Sequence, residues 1–75
     1  MRLWNLKSGE QAVVKDFDKK LSKEIVQRLL ELGIHQERKV ECLKQSFLGS
    51  PKSFKVGDTV IGLDKEIAVC ISVSK

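Results

Sequence analysis

Few side chains in this sequence could bind a metal ion. His35 is the sole histidine, and the carboxylates nearest to it in sequence are Glu31, Glu37 and Glu41. One neutral imidazole with carboxylates could hold a divalent cation weakly. A defined site normally needs three or four ligands whose positions are fixed by further hydrogen bonds. We therefore predict no metal site, keep His35 as a weak candidate, and favour a solvated histidine.

The two cysteines are the other reactive groups. Cys42 and Cys70 lie far apart in sequence, each within an apolar run, and neither belongs to a CxxC pair of the kind found in zinc or redox sites. We predict two buried free thiols within strands. The sequence has no recognisable nucleophile with a base and an orienting group, and no glycine-rich loop followed by lysine and serine or threonine. It therefore predicts a protein that is not an enzyme.

The sequence predicts one short helix, which ends just before His35. Its apolar residues recur three or four positions apart, so they share one face of a helix of about three turns: Leu21, Ile25, Leu29 and Leu32. Ser22 is placed to cap the first turn, and Glu24 adds negative charge where the helix dipole favours it. Gly33 can adopt the left-handed conformation that ends such a helix.

The rest of the sequence alternates between apolar runs and turn residues. It predicts strands over residues 11–17, 39–47, 54–56, 59–63 and 67–73. Gly57 and Asp58 form a two-residue connection typical of a tight hairpin. Because no connection after the helix is long enough for a parallel crossover, the sheet must be antiparallel. We predict a mainly β fold: one domain over residues 1–75, forming a small, partly closed, SH3-like barrel of about five strands, with the helix between strands one and two at one opening.

Size and charge favour a binding role. The chain has 75 residues and a formal net charge of +4, with acidic and basic side chains interspersed. So small a core leaves little room for a catalytic cleft. The mixed charges indicate a solvated surface, and no nucleic-acid partner is expected. No apolar run approaches the length of a membrane span and no secretory signal is evident, so we expect a cytoplasmic protein without membrane insertion.

Exposed apolar side chains are candidates for contact with a partner. A small barrel can hardly bury two large side chains next to a Gly-x-Pro loop. Trp4 lies between Leu3 and Leu6, so it could face outward while they face inward. The candidate contact residues are Trp4, Phe47, Leu48, Gly49 and Pro51. The alternative is that Phe47 or Leu48 folds back over the core.

A series of short motifs in order along nearly the whole chain resembles the FeoA family. The opening element is Leu3, Leu6, Gly9 and Glu10, followed by Val13 and Val14. The helix element is Arg28, Leu29, Leu32, Gly33 and Ile34, with Val40 in the next strand. The loop is Leu48, Gly49 and Pro51, and the tail is Gly57, Leu63, Ala68, Ile71 and Val73. The sequence departs from the family at Gln36 and Glu37, where proline and glycine are usual, so that turn must form without a glycine.

The resemblance implies a cytoplasmic accessory protein of bacterial ferrous iron uptake. Such an adaptor would dock on the cytoplasmic GTPase region of the FeoB membrane transporter, and the family is also associated with transition-metal binding, here Fe²⁺. Two alternatives stay open: a small barrel that binds nucleic acid, motivated by the net charge, and a metal-sensing SH3-like domain related to iron-dependent repressors. A weak homo-oligomer is also left open.

Overall fold

Five strands form one antiparallel sheet in the computed structural model, which describes residues 1–44 and 51–75. The strands are β1 (Gln11–Phe17), β2 (Lys39–Lys44), β3 (Lys52–Val56), β4 (Thr59–Leu63) and β5 (Ile71–Ser74). Their order across the sheet is β4-β3-β2-β1-β5. Helix α1 (Lys23–Glu31) lies between β1 and β2. These findings confirm the prediction of a mainly β fold with five antiparallel strands and one helix after the first.

The sheet is not closed into a barrel. Within the described residues β4 and β5 are its two edge strands, and they do not pair with each other. The outer edge of β5 is instead used by the start of the chain, because Arg2 forms an isolated bridge with Ser72 and the Val73 N–H donates to the Met1 carbonyl over 2.8 Å. The prediction of a partly closed barrel is therefore wrong, because the two edge strands do not pair. The predicted position of α1 at one opening of a barrel is wrong for the same reason.

Helix α1 begins and ends where the sequence predicts. The Ser22 hydroxyl accepts from the Ile25 N–H over 3.2 Å, and Glu24 lies in the first turn. At the other end Gly33 has a φ of 97°, its N–H donates to Leu30 and the Ile34 N–H donates back to Leu29. This pair of bonds is a Schellman motif, which uses a left-handed residue to satisfy the last helical carbonyls.

Replacing Gly33 with alanine is expected to destabilise the fold by about 1–2 kcal/mol. Alanine at positive φ is strained, and its methyl group would lie 3.4 Å from Val56 Cγ1. The free energy of unfolding in urea measures the effect. Gly62→Ala is the matched control, since Gly62 has no positive φ and its nearest neighbour would be 3.7 Å away. Equal stability of the two variants would contradict the assigned role of Gly33.

A short helix replaces the first part of the predicted fifth strand. Helix α2 covers Lys65–Ala68, β5 begins at Ile71, and Cys70 lies in the turn between them. The Asp64 carbonyl accepts from the Ala68 N–H over 2.9 Å, which forms one helical turn. The prediction of a strand over 67–73 is wrong before residue 71. A continuous apolar run does not by itself distinguish a buried strand from a buried helical turn.

The turn before β2 is well formed despite lacking glycine. Glu37 takes a φ of 67°, its N–H donates to the Val14 carbonyl over 2.7 Å, and its carboxylate pairs with Lys15 at 3.1 Å. The Gln36 side chain donates to the Lys15 carbonyl over 3.0 Å. Backbone and side-chain hydrogen bonds to β1 therefore hold this turn where the family usually has Pro-Gly.

The core lies on one face of the sheet. The strands contribute alternate side chains to it, and a 3₁₀ helix over Leu3–Asn5 adds apolar residues at the beginning of the chain. The buried cluster comprises Leu3, Leu6, Ala12, Val14, Leu29, Ile34, Val40, Cys42, Phe54, Val56, Ile61, Leu63, Ala68, Ile71 and Val73.

Candidate functional site

The predicted contact residues are only partly within the described chain. Phe47, Leu48 and Gly49 lie outside the described residues, so their role stays a prediction. Pro51 is exposed and directly precedes β3. Trp4 is half-buried and packs against the core, rather than simply facing outward between two buried leucines. Its role in contacting a partner also stays a prediction.

An apolar groove lies between α1 and the edge strand β4. It has a volume of about 400 Å³. Its lining, which we call the α1–β4 groove, comprises Glu24, Ile25, Arg28, Leu29, Leu32, Ile61, Gly62, Leu63 and Ile67. The lining contains one acidic and one basic side chain, and the remaining residues are aliphatic or glycine. The groove can therefore accept an aliphatic group. Its two charged side chains have opposite signs, so it has no net charge that would attract an ion.

Two walls of the groove come from the apolar face that the sequence predicts for the helix. Ile25 and Leu32 share that face with Leu29, but they are 36% and 39% exposed whereas Leu29 is 2% exposed. All three side chains line the groove, and Leu29 also belongs to the core. An exposed aliphatic recess on so small a protein is typical of a contact site.

The family-like motif residues are distributed between this groove and the turns. Arg28, Leu29 and Leu32 all line the groove. Gly9 has a φ of 88°, and its N–H donates to the Cys42 carbonyl over 2.7 Å, which joins the first turn to β2. These positions have separate tasks: the helix element shapes a surface and Gly9 makes a tight turn.

Two further motif positions are structural. Gly57 has a φ of 61° in the β3–β4 turn, a backbone conformation that residues with a side chain rarely adopt. Ala68 is fully buried in α2. The two-residue hairpin predicted at Gly57 and Asp58 is confirmed by the pairing of Val56 with Thr59.

Lys52 is a buried cation that the sequence analysis missed. It is 8% exposed, and its ammonium donates to the Leu6 carbonyl over 3.0 Å and to the Trp4 carbonyl. The same nitrogen lies 4.7 Å from the centroid of the Trp4 ring, within the range of a cation–π interaction. The predicted strand begins at residue 54, whereas β3 begins at Lys52, so the alternation that places Lys52 on the face of the buried Phe54 and Val56 lay outside the prediction.

The cysteine prediction is confirmed as to burial. Cys42 and Cys70 are both free and buried. Burial raises the pKa of the Cys42 thiol, although the nearby Lys52 charge acts in the opposite direction. The raised pKa disfavours the thiolate, which is the form that binds metals and attacks electrophiles. Cys42 is therefore best described as a core residue.

The weak metal candidate has no ligand cluster around it in the described part of the chain. His35 is exposed after α1, and its Nδ1 lies 2.9 Å from the Gln36 carbonyl oxygen. Across residues 1–44 and 51–75, no three His, Cys, Asp or Glu side chains come close enough together to hold a metal ion. These residues do not fit a defined iron or zinc site.

The architecture defines a small β domain of SH3-like fold, which solved structures share closely. One of them is the zinc complex of FeoA from Stenotrophomonas maltophilia, described as a prokaryotic SH3 domain protein. It is 28% identical with a TM-score of 0.85, and the alignment covers 99% of this chain and 89% of that one. The family profile described as FeoA domain matches residues 1–75. The chain therefore belongs to the FeoA domain family, which confirms the resemblance.

Other solved structures agree in fold. FeoA from Chlorobium tepidum is 26% identical with a TM-score of 0.89, over 99% of this chain and 69% of that one. Iron(II) transport protein A from Clostridium thermocellum is 30% identical with a TM-score of 0.89, over 99% and 44% respectively. A manganese-dependent transcriptional repressor matches with a TM-score of 0.87 at 16% identity, over 99% of this chain and 40% of the repressor, which shows the fold alone.

Two further findings are negative. No curated protein matches it in sequence. No helix in the described parts of the chain has the length and apolar character that crossing a bilayer requires.

Proposed function

We propose that this chain is an adaptor of bacterial ferrous iron uptake that docks on the cytoplasmic GTPase region of a FeoB-type transporter. Membership of the FeoA domain family supports the link to iron transport. The description of the Stenotrophomonas maltophilia relative points the same way, since it suggests a ferrous iron transport activating factor. The observation that carries the docking role is the α1–β4 groove. On this proposal the chain works on the cytoplasmic side of the membrane.

The groove offers the energy that docking needs. Fully burying an aliphatic side chain of this size is worth roughly 1.5–3 kcal/mol. Ile25 and Leu32 are little more than a third exposed, so covering each of them would contribute about a third of that. A partner side chain that moves from water into the groove would gain an amount closer to the full value. Glu24 and Arg28, which carry opposite charges on α1, would then orient the partner through polar contacts beside the apolar contact.

A pair of leucine variants tests this proposal. Leu32→Asp places a charge in the groove and is expected to weaken binding to the purified GTPase region by about thirtyfold, the size of a typical hot-spot loss. Leu30→Asp is the matched control, because Leu30 is 41% exposed on the same helix but does not line the groove. Titration calorimetry gives both dissociation constants, and thermal melts confirm that both variants fold.

The outcome separates the two parts of the proposal. Equal affinities of the two variants for the GTPase region would place docking elsewhere on the surface. Absence of any binding by the unaltered chain would remove the adaptor role itself.

The fold likeness to manganese-dependent repressors motivates a second candidate, a metal-sensing domain. At 16% identity it concerns architecture alone, and the described residues show no cluster of metal ligands. Anaerobic titration of the isolated chain with Mn²⁺ and Fe²⁺ tests it: stoichiometric binding would favour sensing over docking.

A further inference from the structure

The two edges of the sheet differ in their protection. The edge of β5 is covered by Arg2 and the Met1 carbonyl, whereas no described residue pairs with the outer edge of β4. Proteins usually protect an exposed edge with charged residues, proline or a bulge. Strand β4 contains no charged residue and no proline, and it pairs with β3 through five consecutive residues without a register shift. Both the β1–β5 and β2–β3 pairings contain such a shift.

The hairpin turn determines which backbone groups β4 presents at this edge. Gly57 and Asp58 form a two-residue turn, so the flanking Val56 and Thr59 are a hydrogen-bonded pair. Hydrogen-bonded and non-hydrogen-bonded pairs alternate along an antiparallel ladder. The N–H and C=O groups of Val60 and Gly62 therefore point away from β3. They form a template onto which another strand can pair.

The α1–β4 groove runs beside this template, with α1 as its other wall. An edge strand beside a helix-walled apolar groove is the arrangement in which extended peptides add to a sheet, with backbone bonds giving affinity and alternate side chains entering pockets. We propose that an extended aliphatic segment of a protein partner adds to β4 as a sixth strand and inserts alternate side chains into the groove. This inference rests on the proposed docking function and specifies how the partner binds, namely as an added strand.

The chemistry of the site argues for an uncharged aliphatic segment from another protein. β4 carries no charge, and the groove lining carries one charge of each sign. A second copy of this chain fits poorly, because Ile61 and Leu63 of its β4 are 8% and 5% exposed and are already used by its own core. They are not available to enter the groove of a neighbour.

A synthetic peptide tests the proposal without the transporter. The probe alternates valine with threonine over an uncharged segment and carries a glutamate outside each end of that segment for solubility. Two control peptides carry N-methyl groups on the valines or on the threonines. Only one edge of the peptide can face β4, so strand addition predicts that one methylated peptide loses binding and the other keeps it. Docking through side chains alone predicts no such difference.

Protein variants provide the complementary comparison. Val60→Pro removes the outward N–H and is expected to weaken peptide binding about tenfold, whereas Val60→Ala, which keeps the N–H, changes it less than about twofold. Nuclear magnetic resonance titration gives the affinities, and the amide of Gly62 is expected to exchange more slowly in the complex.

Three results would overturn strand addition. The first is no binding of the unmethylated peptide, and the second is equal effects of the two methylated peptides or of the two Val60 variants. The third is a dimer of the chain itself that Val60→Pro dissociates, which would assign β4 to a second copy. None of these results decides whether the transporter region binds, because Leu32→Asp and its control Leu30→Asp test that separately.

Discussion

Lys52→Met is expected to lower the free energy of unfolding by about 2–3 kcal/mol, although methionine nearly matches lysine in volume. The ammonium donates to the carbonyls of Trp4 and Leu6 and so joins β3 to the 3₁₀ helix. Methionine would leave both carbonyls without these partners, and each hydrogen bond to a charged group is worth about 1.5–3 kcal/mol. The variant no longer has to desolvate an ammonium, which offsets part of this loss and leaves the smaller total. The contact of the ammonium with the Trp4 ring would also be lost.

Urea unfolding, followed by the fluorescence of the single tryptophan, measures the loss. Lys55→Met is the control, since Lys55 lies on the same strand but is exposed and should change stability by less than about 0.5 kcal/mol. A Lys52→Met variant as stable as the unaltered chain would mean that the cost of burying the ammonium cancels its hydrogen bonds.

Phe54→Ala is expected to have the largest effect on stability, about 3–5 kcal/mol. Phe54 is fully buried at the centre of β3, where it pairs with Cys42 on one side and Ile61 on the other. Truncation removes the largest fully buried side chain of residues 1–44 and 51–75 and leaves a cavity beside Ile61, which lines the groove. A small domain has a total stability of roughly 5–15 kcal/mol, so much of it would be lost.

Circular dichroism melts and urea titration measure this change. Val60→Ala is the control, because Val60 lies on the neighbouring strand with 61% of its surface exposed. A cost for Phe54→Ala below about 1 kcal/mol would contradict the assignment of Phe54 to a tightly packed core.

Local signals in the sequence predicted the elements well. Three features follow from residues that are close together in sequence. They are the boundaries of β1, the cap at Ser22 and the end of α1 at Gly33. The β3–β4 hairpin likewise follows from the two residues of its turn. Short-range patterns of this kind reflect backbone geometry and are readable without the tertiary structure.

The features that the sequence did not predict depend on tertiary contacts. The run from Ile67 to Ile71 fits a helical turn or a strand, and packing decides between them. Whether β4 meets β5 depends on the path of the first residues, which cover β5.

The groove could not be predicted for the same reason. Ile25 and Leu32 share the apolar helix face with Leu29, and only the tertiary structure shows that they line a recess and stay more than a third exposed. The burial of Lys52 was missed because the predicted strand began at residue 54 and because a lysine is rarely found at a core position.

The most direct test of the central claim is to map the surface of the isotope-labelled chain that contacts the purified cytoplasmic GTPase region of a FeoB-type transporter. The account predicts that the largest changes in nuclear magnetic resonance shifts fall on Ile25, Leu32, Gly62 and their neighbours in the α1–β4 groove. Changes centred on the opposite face of the sheet, around Lys39 and Lys55, with the groove unaffected, would contradict it.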